Sequence, residues 1–251
     1  MEPNGEKHAQ RLVDHDADSN LFETSIDTVP ITVQRKTFLP PRGSQELAHA
    51  GVARVNIAAT QEHPNGTTEM GWGHRHRHQS VLQQHCDFFD MDRDGVIWPT
   101  DTFWGFHRLG FGIFLSLVAV FIIHANFSYP TLPAYLPDPF FRLYTNNIHK
   151  AKHGSDTGTY DTEGRFIPQK FEDMFEKYAK GRDYLTIWDV SALMKGQRLI
   201  ADPIGWGGAL FECLATWLML WPEDGKIRKE DIRRIYDGSL FYVIAARRED
   251  K

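Results

Sequence analysis

Cysteine is nearly missing from this chain: Cys86 and Cys213 are the only two in 251 residues, and they lie far apart. That excludes a disulfide-stapled framework and fits a reducing compartment. A basic excess is missing too. The 28 Lys and Arg against 33 Asp and Glu give a net charge of −5, which argues against nucleic acid as the main partner. The opening residues MEPNGEKHAQ have no apolar core, so no secretory signal is expected. The main apolar run, Phe111 to Ile123 (FGIFLSLVAVFII), is only 13 residues long. As a helix it rises about 20 Å, short of a hydrocarbon core of about 30 Å.

What is present is most specific at Asp90 to Asp101, D-M-D-R-D-G-V-I-W-P-T-D. This is a twelve-residue calcium loop of the EF-hand type. Asp90, Asp92 and Asp94 stand at positions 1, 3 and 5, Gly95 at the sharp turn, Ile97 at position 8 and Asp101 at position 12. A hard cation takes several oxygens on a small sphere, and Val96 at position 7 offers its carbonyl. Position 12 is usually Glu. The shorter Asp101 favours contact through one oxygen, which weakens calcium and lets magnesium compete.

Beyond the loop, residues 109–137 contain no Lys, Arg, Asp or Glu. The apolar run leads into Y-P-T-L-P-A-Y-L-P-D-P, with Pro130, Pro133, Pro137 and Pro139 in ten residues. Prolines that dense forbid helix continuation and force a turn. Tyr129, Tyr135, Phe140 and Phe141 suit a lipid–water boundary. The segment reads as an apolar helix that enters a lipid surface, turns at a proline knot and returns. It is the only membrane device expected, and the helix leaving the calcium loop is expected to run into it without a break.

The fold class expected is mainly α: EF-hand helix–loop–helix units with a membrane-inserting apolar helix and a proline knot. Four regions follow: a polar, irregular segment over 1–60; the EF-hand region over 61–110; the lipid-inserting helix and knot over 111–141; and a helical region over 142–251. The G-H-R-H-R-H stretch at 73–78 reads as a mobile loop, because its arginines repel a cation held by the histidines. Helices are expected over 80–89, 101–109 and from Lys170 to Ala179. Two worn copies of the loop occur at 178–189, with Leu185 at position 8, and at 220–231, with Ile227 there. Neither has the carboxylates to hold an ion, and either would serve as partner for the calcium loop.

Long strings carry a family resemblance: VLQQHCDFFDMDRDGVIWPTDTFWGFHRLGF (81–111), SYPTLPAYLPDPFF (128–141), NIHKAKHGSDTGTYDTEGRF (147–166), YDGSLF (236–241) and EHPNGT (62–67). The chain resembles the caleosin family over roughly residues 60 to 245. The resemblance implies a protein of the lipid-droplet monolayer or endoplasmic reticulum membrane with one EF-hand, a proline knot and, in many members, a haem b. It implies a peroxygenase, which moves one oxygen from a fatty-acid hydroperoxide to an unsaturated lipid or other acceptor. The rival readings are a non-catalytic, calcium-regulated droplet coat or tether and a soluble calcium sensor.

The resemblance also implies that His85 and His153 surround the iron, with His149, one helical turn before His153, as the substitute. Cys86 points about 100° away from His85 on a helix and is set aside. Two tight histidine ligands leave no open position for a hydroperoxide. Either one histidine releases the iron, or one is the ligand and the other a distal acid–base group.

Overall fold

The computed structural model describes residues 54–249. The irregular segment expected over 1–60 therefore lies outside the described residues as far as residue 53. The described chain is mainly helical, and its short strands serve only to pair loops.

A short helix α1 (Trp72–Arg75) comes first. The expected mobile histidine loop is instead folded: His76 is buried, stacks on Trp72 and bonds the Trp72 carbonyl and Asp87. Helix α2 (Val81–Asp87) starts where Ser80 and Gln83 exchange side-chain-to-backbone hydrogen bonds, which satisfies two free amides of the first turn. The acidic loop follows, and α3 (Pro99–Arg108) leaves it. Helix α3 does not continue into the apolar run. Gly110 at φ 92 turns the chain, and a new helix α4 (Ile113–Thr131) starts after it.

Helix α4 has 19 residues, so it rises about 28 Å rather than 20 Å. Pro130 sits inside its last turn instead of ending it. It forfeits one amide bond, the one to the Asn126 carbonyl, and the Thr131 hydroxyl adds bonds to the Phe127 and Ser128 carbonyls in the same turn. The knot begins only at Leu132, and β2 (Leu143–Tyr144) and a 3₁₀ helix over Thr145–Ala151 follow it.

The rest is built on the same plan. Helix α5 (Pro168–Met174) runs on as a π turn over Phe175–Ala179, then come β3 (Tyr184–Leu185) and α6 (Ile187–Gln197). Helix α7 (Pro203–Leu220), β4 (Ile227–Arg228), α8 (Lys229–Tyr236) and α9 (Ser239–Glu249) complete it. Four helix–loop–helix units result, and their loops pair in twos.

The pairing differs from expectation. The two worn loops pair with each other, Leu185 opposite Ile227. The acidic loop's β1 (Val96–Ile97) pairs with β2, Ile97 opposite Leu143. Its partner is thus the proline knot, and counting back from Leu143 places Phe141, with φ 54, where the acidic loop has Gly95. Each of the three other loops carries its own cation: Arg142 pairs with Asp138, Arg182 with Asp189 and Arg228 with Asp224.

One core layer, around Phe88, Phe106, Leu109 and Phe111, joins α2 and α3 to Met219 of α7 and Phe241 of α9. A second gathers Phe166, Phe171 and Phe175. Helices α4 and α7 are both long and apolar enough to cross a membrane, so the expected single device has a companion. Helix α4 is inverted relative to a soluble helix. Ser116, Ala119, His124, Ser128 and Thr131 face the protein, whereas Phe114 and Phe121 are each 75% exposed.

Candidate functional site

In the acidic loop one carboxylate oxygen from each of Asp90, Asp92 and Asp94 lies within 4.8 Å of the others. Asp90 is buried; its Oδ2 accepts from the Gly95 amide at 3.0 Å, while Oδ1 has no hydrogen-bond partner. Burial, with Asp94 and Asp92 adding repulsion, pushes the Asp90 carboxyl up to about 6. Such a carboxylate is poised for a cation. Asp101 stands apart from this triad. Its Oδ2 accepts from the Trp98 amide at 2.9 Å and caps α3, leaving Oδ1 uncommitted. Val96 donates its amide to Asp94 Oδ1 at 2.7 Å and forms β1.

The histidines lie elsewhere, where the quoted strings meet. His85 projects from α2 against the corner between α8 and α9. Its Nδ1 lies 2.7 Å from the Ile235 carbonyl, and Phe241 meets its ring edge-on at 5.1 Å. A carbonyl only accepts, so Nδ1 carries the proton and Nε2 the free lone pair. Burial lowers the pKa of His85 and keeps it neutral at pH 7, although the residue as a whole is only partly buried. Gly238 makes this approach possible: a Cβ there would meet the Gln84 carbonyl at 2.5 Å. Asp237 beside it is buried and accepts from Thr67 Oγ1 at 2.6 Å, joining the EHPNGT and YDGSLF strings. The 147–166 string arrives too, as Tyr160 donates to the Tyr236 carbonyl at 2.6 Å.

His153 is oriented the opposite way. Its Nε2 lies 3.5 Å from Glu212 Oε1 of α7, and its Nδ1 is buried without a partner. Glu212 raises the pKa of His153, against the effect of burial. Helix α7 begins beside it: Asp202 caps the helix through the Gly205 amide and accepts from both the amide and the hydroxyl of Ser155. Gly208 lets the imidazole lie on the helix, since a Cβ would come within 3.1 Å of its Cδ2. Glu212 is also felt electrostatically by His85, Tyr160 and Tyr236.

His149 does not share a helical face with His153. The 3₁₀ helix ends at Ala151 and Lys152 is extended, so no helical turn joins the two. Cys86 is buried, and burial pushes its thiol up to about 12, which rules it out as a ready thiolate. Sequence reasoning missed Glu212 and Asp202. Glu212 is the one charged residue in an apolar stretch of 18, and Asp-Pro before that stretch is a helix-start pattern.

The family model for caleosin-related proteins matches residues 77–245, and the chain belongs to the caleosin family. A peroxygenase of Lilium longiflorum is 42% identical over 84% of this chain and 87% of its own length. The probable peroxygenase 4 of Arabidopsis thaliana is 39% identical over 68% of this chain and 89% of its own. A probable inactive peroxygenase-like protein of the same plant is 30% identical over 57% and 69%. No solved structure matches.

Proposed function

We propose that this caleosin is a calcium-binding haem peroxygenase working at a lipid surface, the lipid-droplet monolayer or the endoplasmic reticulum membrane. The supporting observation is the opposite orientation of its two histidines. His85, with Nδ1 donating to Ile235, offers Nε2 as the iron ligand. His153, with Nε2 toward Glu212, keeps Nδ1 as a proton-accepting nitrogen. The donor set fits haem b: two imidazoles, no ready thiolate, and the bare backbone of Gly208 against the His153 ring.

Bound on His85, a haem would supply the redox chemistry by which one oxygen of a fatty-acid hydroperoxide passes to an unsaturated lipid. The chain handles the proton. His153 Nδ1 takes it from the hydroperoxide's terminal oxygen and returns it to the oxygen that leaves as the alcohol. Glu212 holds the imidazole in the required tautomer and steadies its transient charge.

Calcium sits in the EF-hand loop on Asp90, Asp92, Asp94, the Val96 carbonyl and the free oxygen of Asp101. The inverted helix α4, with exposed apolar residues of α7, supplies the contact with lipid.

Two substitutions test the division of labour. His85→Ala should abolish haem absorbance after reconstitution. His153→Gln should keep the haem and lower peroxygenase kcat by about a hundredfold or more, as for loss of an acid–base group. Haem retained in His85→Ala, or full activity in His153→Gln, overturns the assignment. Haem-free protein that still coats droplets would support the coat or tether reading instead.

A further inference from the structure

Helices α6 and α7 meet in an exposed apolar corner. Ile200 between the helices is 88% exposed, Trp188 at the start of α6 80% and Ile204 at the start of α7 72%. Leu210 and Leu214, one turn apart on α7, extend the open surface. The inner side of α7 is fixed, because Phe211, Ala215 and Met219 join the core layer that also takes Ala119 and Ile123 of α4. The two apolar helices thus border one core and turn their other faces outward.

Charge at this corner is one-sided, although the whole chain is acidic. Residues 187–214 hold three carboxylates, and each is engaged. Asp189 pairs with Arg182, Asp202 accepts from Ser155 and the Gly205 amide, and Glu212 faces His153. The two cations of the stretch, Lys195 and Arg198, are exposed and have no ion pair among the described residues. Lys195 shares an exposed face of α6 with Trp188 and Ala192. The Arg198 guanidinium lies over the Trp206 ring, 5.0 Å from its centroid.

We infer that this corner is a second lipid contact, separate from α4 and selective for anionic headgroups. Trp188, Ile200 and Ile204 enter the acyl boundary, and Lys195 and Arg198 meet the headgroups. Apolar side chains rimmed by cations are the composition of an interfacial anchor. Continuity with the outward face of α4 across the shared core favours lipid over a protein partner. The inference rests on the lipid-surface reading and deepens it, because the corner is tied to the segment that carries His153. Leu199 lies on bare backbone at Gly154, where a Cβ would come within 2.8 Å of it. Its amide donates to Ser155 Oγ at 3.2 Å, and Asp202 holds Ser155 in turn. An inserted corner therefore holds the His153 segment against the lipid surface.

Flotation of the full chain with vesicles tests the corner, using phosphatidylcholine alone and phosphatidylcholine mixed with phosphatidylserine. The wild type should bind the anionic vesicles about tenfold or more tightly, and lose that gain in about 0.5 M salt. Lys195→Gln with Arg198→Gln should erase the gain and leave binding to neutral vesicles, carried by α4, unchanged. Ile200→Gln with Ile204→Gln should weaken binding to both several-fold, with an unchanged melting curve because both side chains are exposed. Phe114→Gln with Phe121→Gln should weaken both yet keep the anionic preference. A wild type without that preference, or a charge variant that retains it, overturns the corner and leaves the lipid contact of α4 standing. A wild type that floats with neither vesicle overturns the lipid-surface reading as well. A lipid-free dimer that Ile200→Gln with Ile204→Gln dissociates assigns the corner to a second copy of the chain and likewise overturns the inference.

Discussion

At the scale of single residues, position decides what each side chain can do. Asp90 has one oxygen on Gly95 and one with no partner, so a cation is the natural occupant of the second. Asp90→Ala should abolish calcium binding in calorimetry; unchanged binding would reject the loop. Asp101 has one oxygen on the Trp98 amide, so Asp101→Glu, with a longer arm, should tighten calcium relative to magnesium. Gly238→Ala combines a left-handed backbone, φ 75, with a Cβ 2.5 Å from the Gln84 carbonyl. It should cost more than about 1 kcal/mol and lower the melting temperature by several degrees, with a disturbed haem spectrum because His85 lies alongside. The carboxylates of the acidic loop were legible as a string, since metal geometry dictates their spacing. The contacts that orient His85 and His153 were not, because Ile235 and Glu212 reach them from helices far along the chain.

At the scale of elements, the proline knot is the paired loop of the calcium loop. Thr145 donates its amide and hydroxyl to the Gly95 carbonyl, β1 pairs with β2, and buried His124 bridges Thr102 to the Phe141 carbonyl. A calcium ion in the acidic loop would therefore act on the knot through this ladder and not through a continuous helix. Hydrogen exchange at residues 143–145 should quicken when calcium is chelated and slow on readdition; indifference would show that the two loops are uncoupled. Asp138 accepts from Arg142 and from two backbone amides, and Arg142 holds its carboxyl down to about 2. Its pKa is depressed on folding, so its stabilisation is complete above about pH 4 and fades as the pH falls through about 2. Asp138→Asn should remove about 1 kcal/mol at pH 7 and flatten that acid limb, read from melting curves. The two worn loops were visible in the sequence through Leu185 and Ile227. The knot's kinship with them was hidden, since Phe141 stands where glycine is expected and prolines disguise the count. The extent of α4 was also hidden, because a proline in a last turn costs little and the sequence alone does not reveal which turn it occupies.

At the scale of the whole molecule, the four units place an acidic loop, a helix with an exposed apolar face, and His85 and His153 on one scaffold. Phe114→Gln with Phe121→Gln should reduce flotation with oil emulsions while leaving calcium binding intact, since both rings point away from the protein. Unchanged flotation would move the lipid contact elsewhere. The apolar length of α7 was not legible, because glycines and Glu212 break its pattern. The most direct measurement is the absorption spectrum of the purified full chain after haem loading, taken with a hydroperoxide-dependent oxygenation assay. A Soret band in the wild type and in His153→Gln, absent in His85→Ala, together with activity in the wild type alone, is the expected result. A folded, calcium-binding wild type that takes up no haem would contradict the peroxygenase assignment outright.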